Sequence, residues 1–394
     1  STVTAEARVH GISAGIGAFS ANFAFTDIAS DVKAFIGDSS NLKVSGEVQV
    51  ASSLKATGLS KGIGVAAGGL AVGAMVADVS LGRGDDVDEV QAGIGDGATV
   101  EAGTLRITAT ATDDLFADSL AGSGGGIAIT GAIARVSDDN TTLVSLGDGA
   151  DVKVATMDLK SMHDYAVDSQ ADSYTIGLGT GTGAFAHNTI TGKAVVDIGP
   201  GATVSADSIY VTAMSKLTKQ KLSPEENNLR AATFSGVGLS FLESRTNIGT
   251  DDHPLETTVQ IGTGAILTAG ANHASAGVME IQAYNDILAV DSVRVDAVAA
   301  LAGISIGLSK VDAETLVGID VDGATLKNPS GDIYLTTRSS VSLYPSANLL
   351  VASGLISAGG ADADSEIHAT NQVSLTGATI EARDVYLYAG RASA

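Results

Sequence analysis

The chain has no cysteine and no tryptophan among its 394 residues, and aromatic side chains make up only 4%. Without cysteine, disulfides and thiolate metal centres are excluded. Small secreted domains often depend on disulfides, but a long array of repeats does not, because each unit buries its neighbour. Basic residues are also scarce, with 22 Lys and Arg against 45 Asp and Glu and a formal net charge of −23. Binding to nucleic acid or to anionic lipid needs an excess of Lys and Arg, so neither is an expected partner. The apolar stretch Gly62–Ala77 falls short of the ~20 residues a membrane helix needs, so no transmembrane segment is expected. No basic, apolar leader follows Ser1, and the opening and closing residues read as parts of units, as in a segment of a longer protein or a subunit that stacks end to end.

What is present is glycine, 48 residues of it, in a chain that is 44% hydrophobic. That hydrophobic share is enough to bury a core. With so few aromatics, the core must be built from Ala, Val, Ile and Gly; small and β-branched residues suit thin, closely stacked sheet layers. The glycines recur inside one phrase. Ile94-Gly-Asp-Gly-Ala98 returns as Leu146-Gly-Asp-Gly-Ala150, Ile198-Gly-Pro-Gly-Ala202 and Ile261-Gly-Thr-Gly-Ala265. Weaker copies occur at Ile36-Gly-Asp38, Asp322-Gly-Ala-Thr-Leu326 and Thr376-Gly-Ala-Thr-Ile380. The spacing of roughly 50–65 residues is typical of stacked repeats.

Within one unit the hydrophobic period is two. Val90, Ala92 and Ile94 alternate with Gln91 and Gly93, and Leu105, Ile107 and Ala109 alternate with Arg106, Thr108 and Thr110. Gly95-Asp-Gly97 and Gly103-Thr104 are turn signals. The glycine run Gly122–Gly126 precedes Ile127, Ile129, Ile133 and Val136, and Gly177–Gly183, Gly236–Leu239 and Gly303–Gly307 hold the same place in later units. The pattern predicts about four short strands per unit and no helix. The predicted fold is all-β: one elongated β-solenoid, or parallel β-helix, over residues 1–394. Met214–Arg230, rich in Lys, Glu and Asn, reads as an inserted charged loop. One coil per unit would stack Asp96 on Asp148 at ~4.8 Å, a like-charge ladder that must be exposed or cation-bound; two coils of ~25 residues would keep them apart.

Few residues read as a site. The glycine runs lack the following helix that a dinucleotide fingerprint requires. Asp85, Asp86 and Asp88, Asp138 and Asp139, Asp251 and Asp252, and Asp320 with Asp322 are candidates for weak calcium sites, against the commoner role of solvated turn acids. No other cofactor is expected. Arg83-Gly-Asp85 spells an integrin-type attachment tripeptide in a polar turn, and Asn140-Thr-Thr142 fits a glycosylation acceptor. None of the six histidines has metal-ligand spacing to another or to a carboxylate, and no catalytic constellation is evident.

The unit formed by Ile94-Gly-Asp-Gly-Ala-Thr-Val100, Leu105-Arg-Ile-Thr-Ala109 and Gly124-Gly-Gly-Ile-Ala-Ile129 resembles the repeats of large bacterial filamentous adhesins of the haemagglutinin and leukotoxin-like type. The resemblance covers most of the chain outside Met214–Arg230. It implies a non-enzymatic β-helical stalk or fibre, extracellular or at the bacterial surface, serving attachment, aggregation or biofilm matrix. The implied partners are further copies or neighbouring repeats of the same protein, and surface receptors or glycans. Two other readings remain at this level: a filament or sheath subunit polymerising end to end, and a carbohydrate-active β-helix with two carboxylates facing across a groove.

Overall fold

The computed structural model describes all residues except 83–88, 221, 223–226, 272–276 and 392–394. The described residues form a single parallel sheet wound into a solenoid, with strands and turns and no helix. Each coil is one repeat. Asp96 lies on Asp38 after 58 residues, and Asp148 lies on Asp96 after 52. One coil per unit is therefore the correct alternative.

The corner phrase explains itself in this geometry. Gly97, Gly149, Gly201, Gly264, Gly323 and Gly377 all have φ between 57° and 76°. That left-handed conformation favours glycine. Each corner also bonds to the next coil: Gly97 N–H donates to Asp148 O at 2.8 Å, Gly149 to Pro200 O at 2.9 Å and Gly201 to Thr263 O at 3.0 Å. The aspartate ladder carries its charge in solvent. Asp96 N–H donates to Asp38 Oδ1 at 3.0 Å, and Asp148 N–H to Asp96 Oδ1 at 2.9 Å. In the next layer Pro200 has no N–H to offer, and the run of aspartates stops there.

The strands are longer than the sequence pattern predicts. Thr99–Asp138 and Asp151–Ile190 each run 40 residues, and Val278–Asp322 runs 45. The expected short strands merge because a parallel partner above and below carries hydrogen bonding through the bends that glycine marks. Each long strand doubles back on itself at its glycine run. Ser123 Oγ meets Thr130 Oγ1 at 2.6 Å, Thr175 meets Thr182 at 2.7 Å, and Thr233 meets Ser240 at 3.0 Å. The coil is thus a flat blade with a thin tip at one edge and the Gly-x-Gly corner near the other. From Thr104 to Gly126, at ~3.3 Å per residue, the blade is about 70 Å deep. The described residues pass the tip seven times, near residues 16, 69, 126, 178, 236, 301 and 355. Seven layers at ~4.8 Å reach about 34 Å along the stack.

At the thick end the core is a set of apolar columns. Val100, Val152, Val204, Leu267 and Leu326 lie one above another with no solvent exposure. Each such side chain contributes about 1.5–3 kcal/mol through burial. The charged stretch read as a loop over Met214–Arg230 is narrower than expected. Met214–Lys219 complete the strand Ser208–Lys219, and Leu229 and Arg230 open the strand Leu229–Ile248. Burial alternates along Ser208–Lys219, and among the described residues between the two strands, 220, 222, 227 and 228 lie outside any strand.

At the tip, layers touch through backbone. A Cβ added at Gly125 would overlap the carbonyl oxygen of Gly68, and one at Gly68 would overlap that of Gly15. A Cβ at Gly131, a few residues along the same strand, would have nothing within 4 Å. Gly125→Val should lower stability by about 1–3 kcal/mol, and Gly131→Ala should leave it unchanged or slightly higher. Thermal melts of the two variants check this; equal shifts would mean that the tip layers are not in close backbone contact.

Candidate functional site

The calcium candidates Asp85, Asp86 and Asp88 and the tripeptide Arg83, Gly84, Asp85 lie outside the described residues. Asp138 is fully buried, so it is not a solvated turn acid. Asp139, beside it, is half-buried and bonds through its backbone N–H to Leu81 O at 3.0 Å.

Asp138 belongs to a polar cluster inside the core. Asp113, Asp138 and His163 each offer one ligand atom within 4.8 Å of the others, and all three are buried. His163 Nε2 lies 2.5 Å from Asp113 Oδ2, and its Nδ1 lies 3.5 Å from Lys193 O. Asn140 Nδ2 donates to the same Asp113 oxygen at 3.2 Å. Tyr165 stacks on the imidazole with ring centroids 3.7 Å apart. Burial, and then Asp138, Asp113 and Asp139, push the Tyr165 hydroxyl well above the ordinary tyrosine value. Among the described residues, Asp113, Asp138 and His163 form the group that could hold a divalent ion; in the geometry seen, the His163–Asp113 contact satisfies the imidazole. Sequence spacing offers no histidine a metal-ligand partner, yet the fold pairs His163 with Asp113. His163 and Asp113 sit 50 residues apart, close to one coil, so stacking brings Ala111 beside His163 and places Asp113 within reach. Only the coil length reveals this pairing.

A second buried group lies where the layer is interrupted after Lys219. Lys219 Nζ sits 3.2 Å from Asp168 Oδ1 in the coil on one side and 3.1 Å from Asp291 Oδ1 in the coil on the other. It also donates to Val290 O at 3.0 Å. Asp291 accepts from Ser244 Oγ at 2.6 Å and Ser309 Oγ at 3.3 Å. Burial pulls the Lys219 ammonium down, but the two carboxylates more than reverse this and leave its pKa above the ordinary lysine value.

The surface holds two features. A groove of about 520 Å³ gathers Asp251, Asp252, Asp312 and Glu366 around Arg245 and His368. His368 donates to Glu366 at 2.8 Å, and that bond holds its pKa above the ordinary histidine value. The second feature is the thin tip, where the usual arrangement of side chains is reversed. Ala, Ser and Thr face inward and pair across the blade, while Phe19, Leu70, Ile127, Leu178, Leu239 and Leu355 face out. Leu178 and Leu355 are each 77% exposed. No charged residue occurs between Lys61 and Asp78, between Asp118 and Arg135, between Arg230 and Glu243 or between Arg338 and Asp362. An apolar, uncharged edge therefore runs the height of the stack in a chain that is otherwise strongly acidic. The alternation was legible in the sequence, but which phase faces inward at the tip was not.

Comparison with family models, with curated proteins and with solved structures finds no match.

Asp172 lies on the rim of the apolar edge beside Arg230 of the next layer. Burial, with the charge of Asp118 added, raises its carboxyl to about 6. Unfolded, it titrates near ~3.9. The folded state keeps this proton over a window where the unfolded state has lost it, so stability falls as pH rises from about 4 to 6. Asp172→Asn should raise the melting temperature at pH 7.5 and leave it unchanged at pH 3.5. An equal shift at both pH values would show that the effect is not one of titration.

Proposed function

We propose that this chain is a structural and adhesive segment of an extracellular bacterial surface protein, a stiff β-helical stalk or fibre that acts in attachment or aggregation without catalysis. The observation that carries this reading is the continuous apolar edge. Monomeric proteins rarely leave a contiguous apolar patch of more than a few hundred Å² in water, and larger ones mark contact surfaces. Here every layer renews the patch, so its area grows with the number of coils.

The stack supplies the stiffness. Each coil is bonded to its neighbours along nearly its whole length, and apolar columns run through the thick end of the blade. The acidic faces outside the edge keep separate copies in solution until the edge meets a surface. The resemblance of the Ile94–Ile129 unit to filamentous adhesin repeats points the same way.

The test is display of the chain on a non-adherent bacterium, with cells counted after washing on apolar and on glycan-coated surfaces. The triple variant Ile127→Asp, Leu178→Asp, Leu239→Asp alters only outward side chains and should melt like the parent. Burying one large apolar side chain against a surface is worth about 1.5–3 kcal/mol, so retention should fall at least ~10-fold. Retention equal to that of the parent, or a parent that confers none, would sink the proposal.

A further inference from the structure

The Lys219 cluster contains one more member. Asn228, on the far side of the interruption in the layer, is 2% exposed. Its Nδ2 donates to Asp168 Oδ1 at 2.6 Å, the same oxygen that Lys219 Nζ approaches at 3.2 Å. Nδ2 also donates to Ser169 O at 2.9 Å. Its carbonyl oxygen Oδ1 accepts from Ser292 N–H at 3.0 Å in the coil on the other side. Lys219 is fully buried and Asp168 is 1% exposed. An amine, a side-chain amide and a carboxylate that touches both are thus enclosed away from water, with a backbone donor on the amide carbonyl.

We propose that Lys219 and Asn228 join in an intramolecular isopeptide bond, with Asp168 as the proton carrier. A buried ion pair contributes little to stability by itself, because desolvation offsets attraction. A fully buried lysine is rare among proteins. The geometry instead suits acyl transfer. Lys219 Nζ passes a proton to Asp168 Oδ1 across the contact already formed, 3.2 Å long. The free amine attacks Asn228 Cγ. Negative charge develops on Oδ1, where the Ser292 N–H lies within hydrogen-bond range. The Cγ–Nδ2 bond then breaks as Asp168 returns a proton to Nδ2, its present hydrogen-bond partner. The Nζ–Cγ amide is formed, one proton stays on its nitrogen, and the others leave with the departing nitrogen as ammonium. Asp168 ends as the carboxylate it began as. No electron is gained or lost, so no oxidant or reductant is needed.

The bond would close residues 219–228 into a ring and staple the charged segment to the stack at both ends. It depends on the buried cluster and not on the apolar edge, so it stands apart from the adhesive reading.

Mass spectrometry of the intact purified chain is the test. The expected mass is below that of the sequence by one ammonia, about 17 Da. A succinimide at Asn228 would lose the same mass, so the position of the bond must be read after trypsin. Cleavage at Lys216, Lys221 and Arg230 frees the peptides Leu217–Lys221 and Leu222–Arg230. They should remain covalently joined under denaturing conditions. An unshifted intact mass, or two separate peptides, overturns the proposal. Asp168→Asn retains the size of the side chain but cannot carry the proton. It should return the full sequence mass, with circular dichroism checking that the sheet is intact. A folded Asp168→Asn chain that is still cross-linked removes Asp168 from the reaction and overturns its assigned role.

Discussion

In-register parallel stacking is the constraint from which the other features follow. Once Thr99–Asp138 lies beside Asp151–Ile190, each residue meets its counterpart one coil away, and a sequence choice is tested against its own repeat. Valine on valine builds an apolar column, and glycine on glycine permits backbone contact at the tip. Aspartate on aspartate is tolerated only where solvent and a backbone N–H share the charge, as at Asp38, Asp96 and Asp148.

The blade changes character along its depth. Near the corner it is wide enough for Val, Leu and Met inside, and the apolar phase of each strand faces inward. Toward the tip the two halves of the strand approach until only Gly, Ala, Ser and Thr fit between them. Hydroxyls such as Thr175, Thr182 and Thr233 then bond to one another across and between layers. The larger apolar residues remain on the other phase, and at the tip that phase faces water. The exposed edge is thus a consequence of thinness, and it gives the stack a surface unlike the rest of the molecule.

Buried charge in the stack joins neighbouring coils. One layer breaks between Lys219 and Leu229, while the coils on both sides run straight past in Asp151–Ile190 and Val278–Asp322. Lys219 bridges Asp168 and Asp291 at that break, across three successive coils. The Asp113–His163 pair likewise joins neighbouring coils. Neither group uses residues that are close in sequence.

The sequence by itself determined the all-β class, the repeat and the corner, while the stacking of Asp96 on Asp38 decided that one repeat makes one coil. The period-two alternation of Leu105, Ile107 and Ala109 and the recurring Gly-x-Gly are local signals, and local backbone sterics read them directly. It also showed that Gly-x-Gly outlasts its aspartate, which the positive φ at Gly201 and Gly264 accounts for. Tertiary structure decided what alternation cannot encode: which phase of a strand faces inward when the blade narrows, and which residues 50 or more positions apart come to share one pocket. Ile127 and Ile107 look alike in a period-two pattern, yet one is 55% exposed and the other is buried. Lys219 looks like part of a charged loop and lies in the core. The physical reason is the same in each case: burial is set by the distance to the opposing wall, and that distance exists only once the coil has closed.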